Sequence, residues 1–166
     1  MATTGQPAAG TTATLQELAK RHLWMHFTRM GAYADADVPV IVRGDGCYVF
    51  DEHGERYLDG LSSLFCANLG HGRVDLAQAG ADQARSLDYF STWSYAHPPA
   101  IELAAKIASL TPGDLNRVFF TTGGSEAVES TLKLARAYHK VTGNPNKTKV
   151  IAREIAYHGT SLGALS

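Results

Sequence analysis

The chain has 166 residues, 45% of them apolar, with 15 basic and 16 acidic side chains and a formal charge of −1. That balance fits a globular chain long enough for one domain. The lack of a basic stripe and of a long apolar run argues against nucleic-acid and membrane partners. Cys47 and Cys66 share no metal-ligand spacing and read as free, packed thiols of a cytoplasmic chain.

Residues 1–14, rich in Thr, Ala and Gly with no basic start or apolar core, predict a disordered tail and no signal peptide. Thr14 and Glu17 then form a capping-box pattern ahead of an amphipathic helix over 15–27. His22 and His26 share one face of it. Leu23 stands where a zinc-binding His-Glu-x-x-His motif needs glutamate, and no third ligand is evident, so no metal site is expected.

Residues 39–61 alternate around Gly44-Asp45-Gly46 and Glu52-His53-Gly54, which predicts a small antiparallel meander. The loop over 62–73 exceeds a plain connection, and long ordered loops carry function. A first segment of 15–73 and a second of 74–166 are the expected organisation. The second opens with a helix over 74–87, followed by Tyr89, Phe90, Trp93 and Tyr95, an aromatic cluster expected to be buried or at an interface. His97-Pro98-Pro99 starts a helix through Leu110, ended by Pro112-Gly113.

Arg117 to Arg136 carries the most chemistry. An apolar strand, Val118-Phe119-Phe120, meets a Gly123-Gly124 turn and a helix opening at Ser125, with Ala127, Thr131, Leu134 and Tyr138 as its buried face. Amides at a helix start lack intrahelical acceptors and sit at the positive end of the peptide dipoles, so a phosphate can dock there without a basic side chain. Neither a Walker loop nor a Gly-x-Gly-x-x-Gly fingerprint is present. A nucleophile elbow, with Ser125 as the serine of a hydrolase, is the competing reading, although no aspartate follows it in the chain. A third reading is a non-catalytic protein that binds a phosphate ligand or a partner. Lys149 to Arg153 reads as a second strand running into Tyr157-His158-Gly159, which would bring both loops to one sheet edge.

Thr121-Thr122-Gly123-Gly124-Ser125-Glu126-Ala127 followed by Tyr157-His158-Gly159-Thr160 resembles the class III, pyridoxal-phosphate-dependent aminotransferases, in particular the omega-amine:pyruvate branch. His22 to Thr28, Gly44 to Asp51, Arg56 to Gly60 and Ser62 to Gly72 resemble the amino-terminal region of that family in the same order. The resemblance implies an α/β fold, the amino-terminal part of a fold type I enzyme, with the small meander and the start of a large, mostly parallel sheet. It implies pyridoxal 5'-phosphate as cofactor, an amine donor and a keto acid such as pyruvate as substrates, and a homodimer. Gly124 and Ser125 would hold the cofactor phosphate, Tyr157 would lie on the pyridine ring, and His158 follows in the same motif. Phe27, Leu64, Phe65 and Trp93 would line the substrate pocket, with either Phe27 or Trp93 reaching from across the dimer interface.

The family's Schiff-base lysine lies later in a longer chain. The six lysines here, at positions 20, 106, 133, 140, 147 and 149, read as exposed. The chain is therefore expected to be an amino-terminal piece that stops inside a helix begun near Thr160. Alone, it is expected to fold poorly and to lack transaminase activity, because two strands of a large sheet leave unpaired edges.

Overall fold

The computed structural model describes residues 13–165, so the tail expected over 1–14 lies outside the described residues except for Ala13 and Thr14. The chain is α/β and divides into two compact units at Tyr89 and Phe90.

In the first unit Thr14 and Glu17 make the capping box reciprocally: the Glu17 amide donates to Thr14 Oγ1 at 3.2 Å and the Thr14 amide to Glu17 Oε2 at 2.8 Å. Helix α1 (Leu15–His22) is shorter than expected. It ends at Leu23 in an extended conformation, and Phe27 has φ +52°, which no right-handed helix accommodates. Gln16 ties α1 to the segment before the sheet, its amide exchanging hydrogen bonds with both the N–H and the C=O of Val38 at 2.8 Å. Val38, 4% exposed, is the buried apolar side chain of this unit among the described residues.

The meander forms as expected. Strands β1 (Ile41–Asp45), β2 (Tyr48–Asp51) and β3 (Arg56–Leu58) pair antiparallel in sequence order, with Gly44 opposite Val49 and Val49 opposite Tyr57. Buried Asp51 organises the second turn: its carboxylate accepts from the His53 and Glu55 amides and from the Tyr57 hydroxyl. Burial raises the pKa of Asp51, but these donors outweigh it and leave a net lowering; the Asp51 bond in turn pushes Tyr57 up to about 12. Beyond β3 lies a single turn, α2 (Ser62–Phe65), and then helix α3 (Val74–Ser86).

The second unit holds helix α4 (Pro98–Ala108), with proline in its first turn, and the 18-residue helix α5 (Gly124–Val141). The segments expected as strands, 118–120 and 149–153, have no ladder partner among the described residues. A strand exists through bonds to a neighbour, and apolar content alone supplies none. Phe119 and Ile151 are accordingly 80% and 97% exposed. The helix expected from Thr160 is a succession of turns over 161–165, with one helical bond from the Leu165 amide to Ser161 O.

Two expectations about burial are corrected, for the face of α5 and for the cysteines. Ala127, Thr131, Leu134 and Tyr138 are exposed, and the covered side of α5 carries Ser125, Val128, Glu129 and Leu132, because that side meets residues 159–164. Ala127, Thr131 and Leu134 instead line, with Phe119, an open hollow of about 800 Å³. The aromatics of the Tyr89–Tyr95 stretch, expected to be buried or at an interface, are exposed in the chain, with Phe90 and Tyr95 meeting edge-on at 5.1 Å. Both cysteines are free, as expected, but exposed and not packed. All six lysines are exposed, as expected.

Candidate functional site

The start of α5 has the geometry of an anion seat. Gly123 caps the helix with extended backbone and no side-chain cap bond. The first helical bond runs from the Ala127 amide to Gly123 O, which leaves the amides of Gly124, Ser125 and Glu126 without intrahelical acceptors. Space beside Gly124 is open for 4 Å around the position of a Cβ. Glu126 folds back, with Oε2 2.8 Å from where a Cβ on Gly123 would sit, so a carboxylate already lies toward the positive helix end.

The structure brings the two ligand-competent loops together. The Thr160 amide donates to Ser125 Oγ at 2.9 Å, joining the turn at the start of α5 to the loop carrying Tyr157 and His158. The hydroxyl proton of Ser125 is thereby directed to some other acceptor. Gly159 makes the approach possible: it is buried, has φ +137°, and a Cβ there would collide with Ser125 Oγ and lie 2.8 Å from Ala164 Cβ and 3.1 Å from Ser125 Cα. Tyr157 is 76% exposed, its ring face open, while His158 is half-buried. An unblocked helix start, a hydroxyl beside it and an open aromatic face are what a phosphorylated flat ring requires, so these residues fit pyridoxal phosphate.

Glu129, one turn further along α5, fixes the far side of the same loop, and its sequence signal was hidden by a spacing of 34 residues to its partners. Its Oε1 accepts from the Gly163 amide at 2.6 Å and the Ala164 amide at 3.3 Å. The Gly163 amide first, and the Ala164 amide with it, hold this carboxyl below its ordinary range.

The residues expected to line a substrate pocket fall in both units: Phe27, Leu64 and Phe65 in the first and Trp93 in the second, all exposed. Backbone strain marks the same places. Non-glycine residues with positive φ among the described residues are Phe27, the run Ser62-Ser63-Leu64-Phe65, Ser94 beside Trp93, and Ile155 two residues before Tyr157. Turn α2 is thus left-handed throughout, with φ between +47° and +66°. Each such L-residue costs about 1–2 kcal/mol, so the turn stores roughly 4–8 kcal/mol. Strain of this size persists only where surrounding contacts over-determine it.

Those contacts centre on Asp59, which the sequence reading did not single out. Its Oδ1 accepts from the Ser63 amide at 2.9 Å, and its Oδ2 accepts from the Ser63 hydroxyl at 2.9 Å and meets His71 Nε2 at 2.8 Å. The Ser63 amide first, and then His71, hold the Asp59 carboxyl down to about 2. The signal available in sequence was the four-residue spacing of Asp59 and Ser63, which reads as an ordinary turn until the φ values are known.

The sequence matches the family described as Aminotransferase class-III over residues 32–166. The chain belongs to the class III aminotransferases. Among curated relatives of this aminotransferase chain, a probable aminotransferase of Mycobacterium tuberculosis is 57% identical over 93% of the chain and 33% of the relative. The beta-alanine–pyruvate aminotransferase of Pseudomonas aeruginosa is 41% identical over 90% of the chain and 33% of the relative. A solved transaminase from a marine Virgibacillus superposes with a TM-score of 0.87 at 44% identity, covering 90% of this chain and 34% of that one. The omega transaminase of Pseudomonas jessenii, solved in complex with PMP, gives 0.86 at 31% identity over 90% and 33%. The chain therefore spans about one third of the length of the aminotransferases it matches. Family membership sets the hydrolase reading of Ser125 aside. Among the described residues no helix is long and apolar enough to cross a membrane.

Proposed function

We propose that these residues are the amino-terminal third of a pyridoxal-phosphate-dependent aminotransferase that moves an amino group from an amine or omega-amino acid to a keto acid such as pyruvate. The observation that carries this reading is the Ser125–Thr160 contact, which joins an open helix start to the Tyr157 loop in a chain of this family. The whole enzyme is proposed to act as a cytoplasmic homodimer. The 166 residues alone are proposed to be inactive, since all six lysines are exposed side chains of helices and loops and the family resemblance places the Schiff-base lysine later in a longer chain.

Within that enzyme the amides of Gly124 and Ser125 and the Ser125 hydroxyl bind the cofactor phosphate. The Glu126 carboxylate lies toward the same helix end and would repel a phosphate held there unless it turned outward. Tyr157 would lie against the ring and exclude water from one face, with His158 next to it in the chain. When bound, the cofactor supplies the electron sink that lets an amino group pass between carbon skeletons. Phe27, Leu64 and Phe65 would form apolar walls that select the donor by bulk, where each buried methylene changes discrimination by about 1–3 kcal/mol.

The test uses the longer polypeptide containing these residues, incubated with pyridoxal phosphate, pyruvate and a panel of amines that includes β-alanine. Alanine formation is expected, and Leu64→Ala or Phe65→Ala should change the ratio of kcat/KM between bulky and small donors. Failure of every donor to yield alanine would remove the proposal.

A further inference from the structure

The left-handed turn α2 is gripped by the Asp59 carboxylate, whose contacts run to Ser63 within the turn and to His71. Asp59 grips Ser63 through both the amide and the hydroxyl, so that the second residue of the turn cannot rotate toward a right-handed conformation without breaking two bonds. His71 buttresses the carboxylate from the other side. The imidazole is itself fixed. The His71 backbone exchanges hydrogen bonds with Gly46 at 2.8 and 3.2 Å, and the ring lies over Gly44, where a Cβ would come within 2.6 Å of His71 Cβ and Cγ. A rigid chain of contacts thus runs from β1 through His71 and Asp59 to Ser63, next to Leu64.

We propose that Asp59 and His71 are positioning residues for donor selection: clamped together, they hold the left-handed turn that presents Leu64 and Phe65, and so set how bulky an amine the enzyme accepts. This rests on the reading of Leu64 and Phe65 as pocket walls. Small errors in placing a wall matter, because a displacement of about 1 Å can change a rate about 100-fold. Released from the clamp, Ser63 and Leu64 relax toward conformations that L-residues prefer, and both side chains change direction.

The experiment compares Asp59→Ala, Asp59→Asn, Ser63→Ala and Gly44→Ala in the longer polypeptide loaded with pyridoxal phosphate. Two quantities are read: the ratio of kcat/KM for an arylalkyl amine to that for β-alanine, and amide hydrogen exchange at Phe65, Cys66 and Ala67, whose N–H groups bond to Leu61 O and Ser62 O. Asp59→Ala is expected to shift the ratio about tenfold or more and to speed exchange at all three amides, with Asp59→Asn, which keeps one acceptor, falling between it and wild type. Gly44→Ala, which touches only the buttress, should shift the ratio in the same direction.

Faster exchange with an unchanged ratio would leave the clamp purely structural and overturn the inference. If Asp59→Ala does not fold, Ser63→Ala, which deletes one hydroxyl from an exposed residue, decides: an unmoved ratio overturns the inference and a shifted one supports it. Leu64→Ala and Phe65→Ala separate the two levels. If they shift the ratio and the clamp variants do not, the clamp alone fails; if none does, the pocket reading fails and takes the clamp with it.

Discussion

Replacing Gly159 by alanine tests the join between α5 and the Tyr157 loop. The added methyl would sit 2.8 Å from Ala164 Cβ and 3.1 Å from Ser125 Cα, in collision with Ser125 Oγ. Ser125 Cα belongs to a helix backbone and cannot swing aside, so the overpacking costs about 1–3 kcal/mol. The φ of +137° is glycine territory, and holding an L-residue there adds about 1–3 kcal/mol. Together, roughly 2–6 kcal/mol acts against the bond from the Thr160 amide to Ser125 Oγ. At about 1.4 kcal/mol per factor of ten, exchange of the Thr160 amide should accelerate between roughly 30-fold and 20,000-fold. Hydrogen exchange read by mass spectrometry on the longer polypeptide measures this, and pyridoxal phosphate affinity should fall in parallel. Unchanged exchange at Thr160 would show that the loop does not depend on close approach at Gly159, and the reasoning would be refuted.

Thr14→Ala should cost α1 about 1 kcal/mol and speed exchange of the Leu18 amide, which bonds to Thr14 O; no change would mean that the cap is idle. Asp59, held at about 2 against an unfolded value of 3.8, stabilises the turn fully above pH 3.8 and loses that contribution as pH falls through about 2. Protection of Phe65 and Ala67 against exchange, relative to the intrinsic rate at each pH, should therefore fall on acidification in wild type and not in Asp59→Asn. Tyr57, raised to about 12 from 10.0, contributes stability that is complete below pH 10 and lost as pH rises through 12. Ultraviolet titration should show this late ionisation, and Asp51→Ala should return it toward 10. Glu129→Gln keeps one acceptor oxygen and loses the charge, so the Gly163 amide should exchange faster while α5 keeps its helicity by circular dichroism.

What the sequence made legible was local. The capping box, the meander with its glycine corners, Pro98 in a first turn and the start of α5 are each decided by residues a few positions apart, and all are where they were expected. The strands at 118–120 and 149–153 were not, since periodicity reports apolar character and not the presence of a neighbour to pair with. The covered face of α5 was misjudged for a related reason: Glu129 and Ser125 are polar, yet they turn inward because backbone amides 34 and 35 residues away require acceptors. The Asp59 clamp was not legible because four successive left-handed residues violate local preference, and the Asp59–Ser63 bonds that hold them are in turn backed by a contact to His71 twelve residues away.

The most direct test of the central claim is the rate of alanine formation from pyruvate and β-alanine as pyridoxal phosphate is titrated into the longer polypeptide, wild type against Ser125→Ala. A hydrogen bond to a charged phosphate is worth about 1.5–3 kcal/mol, so the variant should need roughly 10- to 150-fold more cofactor for half-maximal rate. Identical titration curves would contradict the assignment of the cofactor phosphate to the start of α5.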